Sequence, residues 1–173
     1  MNKFFIFLVL FVISHNTKAG FLVDTYVGSG LIKTSFDESY KSDDDTLTSV
    51  GARLGYQLLL FSAGIDYSEG KSGNYEFTNT SLFAGVDLPI LIRAWVEYFI
   101  SSDLSSSNSK FDSVDFEFKR GRSIGFGFTG LPFVSLNLEV QTLEYEVDTI
   151  VDFDFDSAAY IFSVSLPLNL WSS

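Results

Sequence analysis

Three features of this 173-residue sequence predict an all-β fold, an antiparallel up-and-down transmembrane β-barrel of about eight strands behind a cleaved signal peptide. Apolar and polar residues alternate with period two along most of the chain, short and long connections alternate between the strands, and the N-terminus has the build of an export signal. From Thr48 to Leu58 the even positions are Thr48, Val50, Ala52, Leu54, Tyr56 and Leu58, and the odd ones are Ser49, Gly51, Arg53, Gly55 and Gln57. Successive side chains of a strand point to opposite faces, so this segment has one apolar face and one polar, partly charged face. A closed barrel with lipid outside and a polar lumen uses both.

Residues 1–19 read as the signal peptide: Lys3 supplies the positive start, Phe4 to Ile13 is apolar, and Thr17-Lys18-Ala19 ends on a small residue. The apolar run is too short for a spanning helix. The remainder, 20–173, is one domain. Removing the signal takes away Lys3 and Lys18 and no acid, leaving nine basic and 22 acidic residues and a formal net charge of −13. Such a surface excludes nucleic acid as a partner. Cysteine is absent, so disulfides and thiolate metal sites are excluded and no cofactor is expected.

The strands follow in order. Phe21 to Ile32 sets Phe21, Val23, Val27 and Leu31 against Asp24, Gly28 and Gly30; Thr48 to Leu58 is second. Phe61 to Tyr67 sets Phe61, Ala63, Ile65 and Tyr67 against Ser62, Gly64 and Asp66. Thr78 to Leu88 sets Leu82, Ala84, Val86 and Leu88 against Asn79, Ser81, Gly85 and Asp87. In the fifth, Ile92, Ala94, Val96, Tyr98 and Ile100 oppose Arg93, Trp95, Glu97 and Ser101. Ile124, Phe126 and Phe128 oppose Ser123, Gly125 and Gly127 in the sixth, and Val134 to Gln141 and Tyr160 to Leu170 complete the set.

Gln57 to Phe61, Leu88 to Leu91 and Thr129 to Phe133 read as tight turns, two of them marked by Pro89 and Pro132. Lys33 to Leu47, Ser68 to Phe77, Ser102 to Phe116 and Tyr145 to Ser157 read as long polar loops. Strict alternation gathers the long loops at one end, as in barrels with short periplasmic turns and longer external loops.

On this pattern, spacing and length, the chain from 20 to 173 resembles the small bacterial outer-membrane barrels typified by the OmpA transmembrane domain and by OmpX. The last strand, with Tyr160, Phe162, Leu166, Leu168 and Leu170, fits the closing strand that the insertion machinery reads in such barrels; Trp171, Ser172 and Ser173 depart from it. The resemblance implies a monomer in the bacterial outer membrane, in contact with outer-membrane lipid and with the barrel-insertion machinery during assembly. It also implies a structural role, surface-ligand contact through the loops, or a very narrow pore. The alternative is a soluble periplasmic or secreted barrel binding a lipid inside. Gly and Ser dominate the polar face, which suits a narrow lumen better than a solvated exterior.

Barrel enzymes of the outer membrane resemble one another in needing a histidine. The one histidine here, His15, lies in the signal segment, so no catalytic residue is expected. Asp24, Arg53, Asp66, Asp87, Arg93, Glu97 and Glu139 share the polar face and are expected to form a lumen charge network. Asp43-Asp44-Asp45 and Asp152 to Asp156 are acidic clusters of the loops with no EF-hand pattern, read as solvated rim rather than metal sites. Arg120 and Arg122 point outward by alternation, where they could meet lipopolysaccharide phosphates.

Overall fold

The structure, a computed structural model, describes residues 19–36, 43–106, 116–147 and 153–170. These form eight strands, β1 (Ala19–Phe36), β2 (Asp43–Leu58), β3 (Phe61–Ser72), β4 (Tyr75–Leu88), β5 (Ile92–Ser106), β6 (Phe116–Phe128), β7 (Ser135–Val147) and β8 (Phe153–Leu170). Each pairs antiparallel with its sequence neighbours, and β1 pairs with β8 to close the barrel.

Alternation decides which face each strand shows to the lumen. Phe61, Ile65, Leu82, Val96, Tyr98, Phe126 and Leu138 stand exposed on the outside. Asp24, Arg53, Asp66, Trp95, Glu97, Asn137 and Glu139 are buried inside. The rival reading of the same alternation, a soluble barrel with an apolar interior, requires the opposite arrangement. An apolar exterior with polar groups inside belongs in hydrocarbon, where backbone groups must be paired within the protein and closure removes every edge.

Every strand runs beyond its expected external end. The second expected long loop, Ser68 to Phe77, is instead a tight hairpin: β3 continues to Ser72, β4 begins at Tyr75, and Gly73-Asn74 makes the turn with Gly73 at φ +57°. Gly supplies positive φ at no steric cost, which makes Gly-Asn a hairpin signal in its own right. Long loops and short turns therefore do not alternate strictly. Elsewhere the described parts of the expected loops are ladder: Lys33 pairs with Asp44, and Asp43, Asp44 and Asp45 are strand residues of β2. At the external end the outer face turns from lipid to water and becomes polar while inward positions such as Leu47, Ser72 and Tyr145 stay buried, so the apolar-out, polar-in contrast fades while the backbone keeps pairing. Residues 1–18, Asp152 and 171–173 lie outside the described residues.

Two bulges reset the faces near the external end. Thr80 pairs with Ser101 but Ser81 pairs with Phe99, so Ile100 is extra in β5 and parity shifts beyond it. Ser102 is buried in the lumen in place of the expected Ser101. In β6, Phe118 pairs with Tyr145 and Arg120 with Glu144, leaving Lys119 extra. The β6 bulge turns Phe118 inward against Tyr145. Val96, at the middle of the outer face of β5, tests the lipid assignment. Val96→Arg is expected to lower the free energy of unfolding from a bilayer by about 2–4 kcal/mol; urea titration in vesicles measures it.

Candidate functional site

The lumen is built around Arg53. In the register Asp24 of β1 lies opposite Arg53 of β2, and Arg53 lies opposite Asp66 of β3, so three adjacent strands set acid, base and acid in one row. The barrel is narrow enough for the opposite wall to reach that row. Arg53 Nε lies 2.8 Å from Asp66 Oδ2, and Nη2 lies 3.1 Å from Glu97 Oε1 on β5 and 2.9 Å from Glu139 Oε2 on β7. Nη1 is 3.9 Å from Asp24 Oδ2. Arg93 of β5 donates across the lumen to Asp24, which is fully buried.

Two aromatic rings sandwich the Arg53 guanidinium, Trp95 at 4.4 Å and Tyr26 at 4.8 Å from the ring centroids. Planar, weakly hydrated guanidinium accepts such stacking, and a desolvated site strengthens the attraction. The Tyr26 hydroxyl donates to Asp66 Oδ1 at 2.9 Å. Outer members fix the carboxylates in turn: Ser81 Oγ donates to Glu97 Oε2 at 3.3 Å and Gln141 Nε2 to Glu139 Oε1 at 2.8 Å.

Six of the seven lumen charges of the sequence reading thus meet in one cluster. Asp87 lies nearer the turns, opposite Arg93 in the register, and accepts from Gln57 Nε2 at 2.7 Å. Sequence reasoning missed Tyr26, and placed Gln57, Trp95 and Gln141 on the polar face without a role. A signal for the aromatics was present: Tyr26 pairs with Gly51, and Trp95 pairs with Gly85 on one side and Gly125 on the other. A Cβ on Gly51 would collide with the Tyr26 ring, and one on Gly125 with the indole. The glycines are the space the rings occupy.

Above and below the ionic layer the lumen changes character. Toward the external end it gains two apolar clusters, Phe99, Leu143 and Tyr145 on one side and Leu47, Ala159 and Ile161 on the other, beside buried Ser72, Asn79 and Ser102. Leu104 and Phe118 join the first group and Ile32 and Phe77 the second. Toward the turns lies a cavity of about 470 Å³ whose lining includes Leu22, Gln57, Phe83, Asp87, Arg93 and Ser135.

On the outside, Arg120 and Arg122 are exposed and project from β6 near the external end. Arg120 Nε lies 2.6 Å from Glu144 Oε2 and Lys119 Nζ 3.0 Å from Glu146 Oε2. Asp45 and Asp156 are exposed at the same end. Among the described residues no group of three or more His, Cys, Asp or Glu is arranged to hold a metal ion. Chemically, the lumen cluster is a brace: the arginines are held by carboxylates, and neither imidazole nor thiol occurs after residue 15 to activate a nucleophile.

Closed eight-strand topology, apolar exterior and charged lumen together define a small transmembrane β-barrel of the outer-membrane type. No family model and no curated protein matches the chain. Solved structures do. Neisserial surface protein A superposes with a TM-score of 0.58 at 18% identity, over 86% of this chain and 98% of that one. Ail, the attachment invasion locus protein of Yersinia pestis, crystallised with the heparin analogue sucrose octasulfate, superposes at 0.50 with 8% identity over 86% and 99%. The chain has the fold these small outer-membrane barrels share.

Removing Arg53 leaves buried carboxylates without their counter-charge. Arg53→Met is expected to destabilise the barrel by about 3–5 kcal/mol, and Lys119→Met, which breaks a half-exposed surface pair, by at most about 1 kcal/mol. Equilibrium unfolding of both variants from vesicles checks the ratio.

Proposed function

We propose that this chain is a non-enzymatic barrel of the bacterial outer membrane whose lumen is closed, acting as a structural and surface-contact protein. The observation that carries the reading is the filled cross-section at Arg53. Side chains from β1, β2, β3, β5 and β7 meet there, and the two apolar clusters stack on the external side. Ion passage would need the guanidinium to leave several carboxylates and two rings at once, and then water to wet an apolar layer. A narrow pore is the second reading, and the cavity on the turn side favours it only as far as the ionic layer.

In this reading the outward belt meets outer-membrane lipid, the insertion machinery handles the closing strand, and the barrel works as a monomer. Asp45, Glu69, Glu76, Asp103, Glu117, Glu144, Glu146 and Asp156 stand at the external end against Lys33, Lys71, Lys119, Arg120 and Arg122, so a surface ligand would present cationic groups. Arg122, with Arg120 nearby, offers guanidinium donors suited to lipopolysaccharide phosphate.

Planar-bilayer recording tests the closed lumen: purified barrel inserted in molar KCl is expected to give no stable single-channel steps, and reproducible ohmic steps would establish the narrow pore instead. Fractionation tests the location, with recovery in outer membranes and different gel mobility before and after boiling as the expected result.

A further inference from the structure

The three turns that join β2 to β3, β4 to β5 and β6 to β7 are apolar where water-facing turns are polar. Leu59, Phe61, Ile90, Leu91, Leu131 and Phe133 are all exposed, Ile90 at 68% and Phe133 at 86%. From Gln57 to Phe61, Leu88 to Ile92 and Thr129 to Ser135 there is no charged residue. Asp87, beside the second turn, is bonded to Gln57.

Each turn also keeps a bulky residue in the left-handed backbone region: Leu59 at φ 60°, Leu91 at 62° and Phe133 at 66°. Glycine or asparagine occupies that conformation with less steric cost, as Gly73 does in the external hairpin. Three separate turns thus retain an apolar side chain at a position where the backbone favours a small or polar residue. Two turn carbonyls are satisfied by the backbone of a neighbouring strand or turn: Leu60 O accepts from Asp87 N at 2.7 Å, and Leu91 O accepts from Thr129 N at 2.8 Å. Immersion in lipid requires such pairing, because no water is there to replace it.

Length gives an independent reason. Counting from the turns, the lipid-facing stretch of β3 runs from Phe61 to Ser68, eight residues, before Glu69; that of β6 covers Ser123 to Phe128, six residues, beyond Arg122. A membrane-spanning strand needs roughly 9–11 residues. The apolar turns adjoin these stretches without a break and supply the missing height.

From these observations we infer that the turn end of the barrel is an anchor set into lipid. Leu59, Ile90, Leu91 and Phe133 lie in the glycerol and upper acyl-chain region of the turn-side leaflet, continuous with the outer belt, rather than in water. The inference rests on the membrane-spanning reading of the fold, and the test separates the two.

The chain has no cysteine, so single cysteines can be introduced at will. Leu59→Cys, Ile90→Cys and Phe133→Cys, with Leu138→Cys in the belt and Asn74→Cys in the external hairpin as references, are labelled with a polarity-sensitive fluorophore. Each full-length variant is inserted in phosphatidylcholine vesicles and its folding checked by gel mobility before and after boiling. Turn positions are expected to follow Leu138→Cys, with blue-shifted emission and quenching several-fold stronger by nitroxide-bearing lipid than by aqueous iodide. Iodide-accessible turns beside a lipid-quenched Leu138→Cys would overturn the anchor and leave the spanning barrel intact. Iodide access at Leu138→Cys as well would overturn the spanning barrel itself. Protection of the turns that disappears on dilution with excess lipid would assign the surface to contact between copies of the chain, which also overturns the anchor.

Discussion

A polypeptide in hydrocarbon has no solvent to satisfy its N–H and C=O groups, so every strand must find a partner on both sides, and the arrangement of this chain follows from meeting that demand. Pairing β1 with β8 completes the ladder and removes both edges. Closure then fixes the interior: with eight strands, the lumen is only wide enough to be filled by side chains. What faces inward must therefore pack and pair within the lumen. The ionic layer, the glycine spaces and the apolar plug are three solutions to that one geometric demand.

Burying carboxylates inside so narrow a space is costly unless the charges compensate one another. Arg53 does this for four strands besides its own, which makes it a brace across the barrel as well as a charge. Its guanidinium has a flat face for Trp95 and Tyr26 and donors in the plane for the acids, a division of contacts that lysine could not reproduce. Arg93 completes the layer by reaching Asp24. The lumen is layered, with apolar packing externally, ions at the middle and a cavity toward the turns, and the charged middle lies behind low-dielectric walls that strengthen each contact.

How much was legible beforehand differs sharply from feature to feature. Thr48 to Leu58 announced both its strand and its faces, because lipid on one side and lumen on the other impose a period of two. The segments at the external end, such as Asp43 to Leu47 and Phe116 to Arg122, carried no such period, because the outer face there is no longer apolar while Leu47 and Phe118 pack into the lumen. Gly73-Asn74 was readable as a turn by its chemistry, yet the polar residues around it looked like a loop. Ser101 and Ser102 exchanged faces through a bulge that no local pattern marks. Among the site residues, charges on the polar face could be picked out one by one, and the glycines opposite Tyr26 and Trp95 held information that becomes usable only when the register is known.

Sequence by itself determined the fold class, the lipid-facing surface and the inward direction of Asp24, Arg53, Asp66, Asp87, Arg93, Glu97 and Glu139, because alternation is a local property that a strand translates directly into faces. Tertiary structure decided which of those charges meet. Residues as far apart as Arg53 and Glu139 become neighbours only when the sheet closes with its particular register and diameter. The same closure set Gln57 beside Asp87 and packed Phe99 against Leu143 and Tyr145, since both depend on distances across the barrel that no strand encodes alone.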